Sequence, residues 1–250
     1  MRILVCNDDG ITAGGLALLA AAARRMSDDV WVVAPERKWT ASSHHLSFDR
    51  DLVLSRKAPQ AYACSGTPVD GLIGALTVLF ADTARPDLVL AGVNDKRNVA
   101  EDIAYSGTMA LAREATFWGI PAVALSGEGW QGEDEALVAP LRRLLDAAWT
   151  TRSDWASPDH WLSINLPPKL PAPVRQARIG RDKIASAANV IERSDDRIAF
   201  RHARGRPGSQ ADDDENALLR SGAVSIVRHR WRGDEPIAPP VLDALRRAVS

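Results

Sequence analysis

Ile3-Leu4-Val5-Cys6-Asn7-Asp8-Asp9-Gly10 carries an apolar run straight into an amide, two adjacent carboxylates and a glycine. The stretch from Met1 to Cys6 reads as a strand buried on both faces, as in a parallel sheet. Ligands of open α/β sheets bind just beyond the carboxyl ends of such strands. Two neighbouring anions at that edge repel each other, so a cation is expected beside them. Oxygen donors alone favour Mg²⁺ or Mn²⁺ over zinc. A plain turn, with Asp8 capping the next helix, would use the same residues.

Outward from this stretch the pattern alternates. After Gly14-Gly15, Leu16 to Arg25 places apolar residues on a helical period, and Val30 to Ala34 is the next strand, closed by Pro35. A helix follows Thr67-Pro68. Leu88 to Val93, Met109 to Trp118 and Ala122 to Leu125 then read strand, helix, strand, with Gly119 stopping the helix. The implied class is α/β, a Rossmann-like, doubly wound, mostly parallel sheet. Leu52-Val53-Leu54 and Ala61 to Cys64 flank Arg56-Lys57-Ala58-Pro59 and predict an inserted hairpin near residues 50–65.

Past Leu166-Pro167-Pro168 the alternation gives way to prolines and charge. Residues 1–167 are therefore read as a catalytic core and 168–250 as a β-rich C-terminal extension. The extension has strands at Ile198 to Arg201 and Ala223 to Arg228 and a short helix from Pro240 to Val249. It is too rich in charge and proline to form its own compact core, and is expected to pack against or swap with a partner chain. The basic residues Arg201, His202, Arg204 and Arg206 are read as a solvated face.

Thirty-one Lys and Arg oppose 32 Asp and Glu, for a net charge of −1 over 250 residues. That balance gives no electrostatic case for a nucleic-acid duplex or a membrane surface, and a small ligand is expected instead. No signal peptide is visible, and no apolar run approaches the ~20 residues of a membrane helix, so a cytoplasmic location is expected. The only cysteines, Cys6 and Cys64, exclude a Cys-rich zinc site or a disulfide framework, and Cys6 is expected as a buried thiol.

Three more segments put polar groups where strands should end. Val30 to Ala34 runs into Pro35-Glu36-Arg37-Lys38-Trp39-Thr40-Ala41-Ser42-Ser43-His44-His45, and Leu88 to Val93 ends in Asn94-Asp95-Lys96-Arg97-Asn98. Tyr105-Ser106-Gly107-Thr108 precedes a helix that Ser106 or Thr108 can cap, leaving N–H groups for a phosphate. Because the ends of parallel strands share one edge, these carboxylates, hydroxyls, amides and helix start converge on one crevice. His44 or His45 could act as a general acid there, although histidines on an exposed loop are more often bystanders.

This set of residues resembles the SurE family, the survival-protein nucleotidases. The matching motifs are Asn7-Asp8-Asp9-Gly10, Ala34-Pro35-Glu36-Arg37, Gly66-Thr67-Pro68-Val69-Asp70, Gly92-Val93-Asn94, Tyr105-Ser106-Gly107-Thr108 and Ser163-Ile164-Asn165-Leu166-Pro167. Gly222-Ala223-Val224-Ser225-Ile226 is the chief match further on. The resemblance implies a divalent cation, Mg²⁺ or Mn²⁺, hydrolysis of nucleoside monophosphates as a 5′- or 3′-nucleotidase, and a homodimer or homotetramer that exchanges C-terminal segments. It implies Asp8, Asp9, Thr40 and Asn94 as metal ligands, Asp8 and Asp9 as the catalytic pair, and Asn7, Asn98, Ser106, Gly107 and Thr108 around the substrate. Asp8 or Asp9 could accept the proton of the attacking water, and the residues do not choose between them.

Two positions depart from the family pattern. Thr40-Ala41 stands where serine and glycine are usual, and Lys96 replaces the glycine of Asn-x-Gly-x-Asn, a residue that allows close backbone approach to substrate. Lys96 is accordingly read as a substrate-facing cation that favours more highly charged phosphate esters. A non-catalytic nucleotide- or phosphate-binding relative is the alternative. A phosphoacceptor receiver domain fits poorly, because Asp49 and Asp70 fall in or beside the hairpin and helix instead of at a central strand end.

Overall fold

The computed structural model describes residues 1–181, 187–203 and 211–249. In chain order the strands are β1 (Arg2–Cys6), β2 (Asp29–Pro35), β3 (Leu54–Ala58), β4 (Ala61–Cys64), β5 (Leu88–Asn94), β6 (Ala122–Ser126), β7 (His160–Asn165), β8 (Val174–Gln176), β9 (Ala188–Arg193), β10 (Ile198–His202) and β11 (Val224–Arg230). The α-helices are α1 (Gly14–Arg24), α2 (Pro68–Gly74), α3 (Asp102–Tyr105), α4 (Gly107–Phe117), α5 (Glu135–Thr150), α6 (Arg152–Trp155), α7 (Glu215–Arg220) and α8 (Pro239–Val249). A π-helical turn, Ala75–Leu79, continues α2.

Nine strands form one sheet in the order β3-β4-β2-β1-β5-β6-β7-β11-β8. From β4 to β7 every neighbouring pair is parallel. The twofold alternation of β1 supplies both faces of the core. Ile3 and Val5 pack with Leu18, Leu19, Leu141 and Leu145 of α1 and α5. Leu4 and Cys6 pack with Leu72, Met109 and Leu111 of α2 and α4. This is the α/β, doubly wound, mostly parallel architecture read from the sequence. α1 crosses β5 so closely that a Cβ on Gly15 would lie 2.0 Å from the Val93 carbonyl oxygen, which only glycine permits.

The hairpin expected near residues 50–65 is present as β3 and β4. It widens the main sheet, because β4 hydrogen-bonds in parallel to β2. At the other edge β11 pairs antiparallel with β7 and parallel with β8, so part of the segment after residue 167 continues the main sheet. β9 and β10 make a separate two-stranded ribbon. Arg201 and His202 are exposed on it, and Arg204 and Arg206 lie outside the described residues. Among the described residues no helix is long and apolar enough to cross a membrane.

Candidate functional site

β1 delivers the acid pair, and Asn7 shapes its turn. The Asn7 side chain donates to the Gly10 carbonyl and accepts from the Gly10 N–H, both at 3.1 Å. Gly10 sits at φ +104°, a conformation open to glycine. The Asn7 amide is thus committed to holding the two aspartates in place. Asp8 is buried, its Oδ1 accepts from the Thr108 hydroxyl, and its carbonyl accepts from the Trp39 N–H at 2.8 Å. Burial pushes its carboxyl up to about 6, with repulsion from Asp9 adding to the rise and the Thr108 hydrogen bond opposing it. Asp9 pairs with Lys38, whose ammonium also reaches Asp95 at 2.7 Å, and the Asp95 N–H donates to Asp9 at 3.2 Å.

Asp8 faces the start of α4. Ser106 caps that helix by accepting from the Met109 N–H at 3.1 Å. A Cβ on Gly107 would lie 2.7 Å from the Asp8 Cβ and 2.8 Å from its Oδ2. Gly107→Ala must therefore push the helix start away from the carboxylate. Any turnover at this site is expected to fall about 10²-fold, the usual effect of roughly ångström misplacement. Gly119→Ala, at φ +71° with open space around it, should leave turnover unchanged, and initial rates on the two purified variants check this.

At the end of β5, the Asn94 side chain donates to the Lys96 carbonyl at 2.7 Å. The Lys96 ammonium is mostly exposed and lies 3.4 Å from Glu128. Lys96 nonetheless lines a cavity of about 560 Å³ with Asp9, Gly14, Gly15, Lys38 and Asp95. Asn98 is buried and tied down from three sides. Its N–H donates to Asn165 Oδ1 at 2.9 Å, its carbonyl accepts from Asn165 Nδ2 at 3.0 Å, and its side chain donates to Ser126 at 2.8 Å.

Thr40 is exposed on the loop after β2, next to the Trp39 that bonds Asp8. Ala41 follows at φ +55°, left-handed backbone that costs a non-glycine residue about 1–2 kcal/mol. The loop is pegged by His44. Arg113 Nε donates to His44 Nδ1 at 3.0 Å, leaving Nε2 to donate to Glu114 at 2.6 Å, and the ring stacks on Phe117. Both ring nitrogens are engaged away from the acid pair, so His44 is an anchor instead of an acid. His45 is exposed and meets Trp39 edge-on. His44→Ala leaves the buried Glu114 short of a donor. A loss of about 1–2 kcal/mol is expected, with faster proteolysis at residues 40–47, read by urea melts and limited digestion.

The structure thus brings Asp8, Gly107 and Thr108 into contact, with Asp9 beside Asp8, Asn94 at the end of β5, Asn98 on the loop that follows and Thr40 on the loop after β2. Among the described residues no three of His, Cys, Asp or Glu gather as a metal site, so any cation would be held by two carboxylates and neutral oxygens. Sequence reasoning missed Lys38, Asp95, Ser126, Asn165 and Glu215 as residues of the site. Asn165 carried a signal, a polar residue closing the buried strand β7. Lys38 is one charge among several in a polar loop, and Glu215 is hidden in the acidic run Asp212 to Glu215.

The sequence matches the family model described as Survival protein SurE over residues 3–188. It is 39% identical over 242 residues to the 5′-nucleotidases SurE of Brucella canis and Brucella suis biovar 1, covering 91% of this chain and of each relative. The crystal structure of the SurE protein from Aquifex aeolicus shares the fold, with a TM-score of 0.77 at 24% identity over 100% of both chains.

Proposed function

The chain belongs to the SurE family, and from that membership we propose that it is a divalent-metal-dependent phosphatase releasing phosphate from nucleoside monophosphates. The observation that carries the reading is an acid pair at the end of β1 whose buried member, Asp8, faces the start of α4, with Gly107 against it. Asp8, Asp9, Thr40 and Asn94 are the residues that would hold Mg²⁺ or Mn²⁺. The donor set fits: two hard carboxylates are offered, and the buried, mutually repelled Asp8 is a charge that a cation would relieve. Such a cation, when bound, supplies Lewis-acid polarisation of a phosphoryl oxygen and activation of water.

The remaining work falls to the chain. The first N–H groups of α4, at Gly107 and Thr108, offer donors to a phosphate, and the helix start favours its charge. Asn98, held rigid by Asn165 and Ser126, lies on the loop leaving β5. The Thr108 hydroxyl fixes the rotamer of Asp8. Asp8 or Asp9 would take the proton of the attacking water. Lys96, mostly exposed in the cavity wall beside Asp9, is the cation that would meet additional negative charge on a substrate, since Lys38 is paired with Asp9 and Asp95.

Assembly as a homodimer or homotetramer is supported by exposed apolar residues after position 167. Val190, Ile191 and Phe200 are exposed on the β9-β10 ribbon, and Val241 and Leu245 on α8. A division into a core, 1–167, and an exchanging extension, 168–250, is the corresponding domain proposal. Light scattering that finds a monomer contradicts the exchange. The buried, unpaired thiols Cys6 and Cys64 favour a reducing compartment such as the cytoplasm.

Phosphate release from a panel of nucleoside 5′- and 3′-monophosphates, with Mn²⁺, with Mg²⁺ and with chelator, tests the activity. Metal-dependent turnover is expected. Nucleotide binding without any release would overturn the enzyme reading in favour of a non-catalytic relative.

A further inference from the structure

The loop that carries Asn98 is held by a residue from far along the chain. Glu215 opens α7 and is fully buried, and its Oε2 accepts the Ala100 N–H at 2.8 Å. The Glu215 N–H donates to the Arg178 carbonyl at 3.2 Å. Ala100 itself sits at φ +51°, a strained conformation for alanine that persists only where its surroundings impose it. Two residues earlier, the Asn98 backbone is clamped on both its N–H and its carbonyl by Asn165. The segment 98–100 is thus fixed at one end by the close of β7 and at the other by the start of α7.

We propose that Glu215 is a positioning residue for the substrate site: its carboxyl oxygen sets the backbone at Ala100 and thereby the placement of Asn98. The proposal rests on the reading of Asn98 as a phosphate-binding residue. It makes a segment outside the 1–167 core part of the machinery without touching substrate. The chemistry required at position 215 is one buried acceptor oxygen. Glutamine therefore satisfies it and alanine does not, since alanine leaves the Ala100 N–H buried and unmatched.

The test uses the full-length protein, with Glu215→Ala and Glu215→Gln beside the wild type. Hydrogen exchange at the amides of residues 99–101 reads the clamp without substrate. Protection should drop at least tenfold in Glu215→Ala beyond any change elsewhere and be kept in Glu215→Gln. With a nucleoside monophosphate as substrate and inorganic phosphate as product inhibitor, Glu215→Ala should raise KM and the phosphate inhibition constant about tenfold. Its kcat should stay within threefold, and glutamine should restore all three. A purely structural role would lower the active fraction, hence kcat, and leave KM in place; that result overturns the proposal. Unchanged protection at residues 99–101, or a glutamine variant that behaves as alanine, overturns it too. Wild-type protein that releases no phosphate from any nucleotide, with protection still dependent on position 215, overturns the functional reading and supports the clamp.

Discussion

Asp8→Asn is expected to lose phosphate release by at least about 10³-fold, or ~4 kcal/mol of barrier, while its metal-free form becomes more stable than the wild type. Both halves follow from one carboxylate. Asp8 is buried against Gly107, hydrogen-bonded by Thr108 and beside the charge of Asp9, and its carboxyl is pushed from 3.8 up to about 6. Holding it ionised at neutral pH works against the fold by roughly 2–3 kcal/mol, at about 1.4 kcal/mol per pK unit. Asparagine keeps an oxygen for the Thr108 hydroxyl and removes the charge. The same charge is what a cation needs, so activity goes as stability rises. Asp9→Asn should be equally inactive but not stabilised, because Asp9 already has Lys38 as a partner. Phosphate release with Mn²⁺ and urea midpoints in chelator measure the two effects. Turnover within tenfold of wild type in both variants would remove the acid pair from the chemistry, and a destabilised Asp8→Asn would mean that the fold depends on the carboxylate.

What the sequence made legible was set by periodicity. β1, β5 and β6 are uninterrupted apolar runs, and a central parallel strand is about the only place such short runs can be buried on both sides. The ends of such strands must share an edge, which brings Asp8, Asn94 and the start of α4 together on the pattern alone. The hairpin of β3 and β4 was legible as an element but not in its placement. Whether β4 joins β2 depends on long-range pairing that leaves no local pattern. Lys38, Asn165 and Glu215 escaped for a related reason. A charge in a polar loop looks the same whether it faces water or another charge, and burial of Glu215 is decided by Ala100, more than a hundred residues away. His44 was visible as a polar loop residue, and only its bonds to Arg113 and Glu114 distinguish an anchor from an acid.

Glu215 and His229 should give the protein two opposing pH dependences of stability, each worth about 3 kcal/mol, which single substitutions would separate. Burial, with Asp214 and Asp102 nearby, raises the Glu215 carboxyl from 4.5 to about 7, against the hydrogen bond from Ala100. Since the folded value lies above the unfolded one, its contribution is fully present below pH 4.5 and is lost as pH rises through about 7. His229 is buried against Trp161 and bonded to Ser163, and burial lowers it from 6.5 to about 4. Its neutral ring contributes fully above pH 6.5, and that contribution is lost as pH falls toward 4. Between pH 4.5 and 6.5 the two slopes oppose each other, so the wild-type curve understates both. Relative to wild type, Glu215→Gln should gain about 3 kcal/mol between pH 4.5 and pH 8. His229→Gln should show the reverse trend, its deficit against wild type shrinking as pH falls from 7 to 4. Urea unfolding in chelator at half-unit pH steps reads both differences. A Glu215→Gln curve parallel to wild type across this range would mean that Glu215 titrates as an ordinary solvated carboxyl, which its complete burial and its bond to Ala100 argue against.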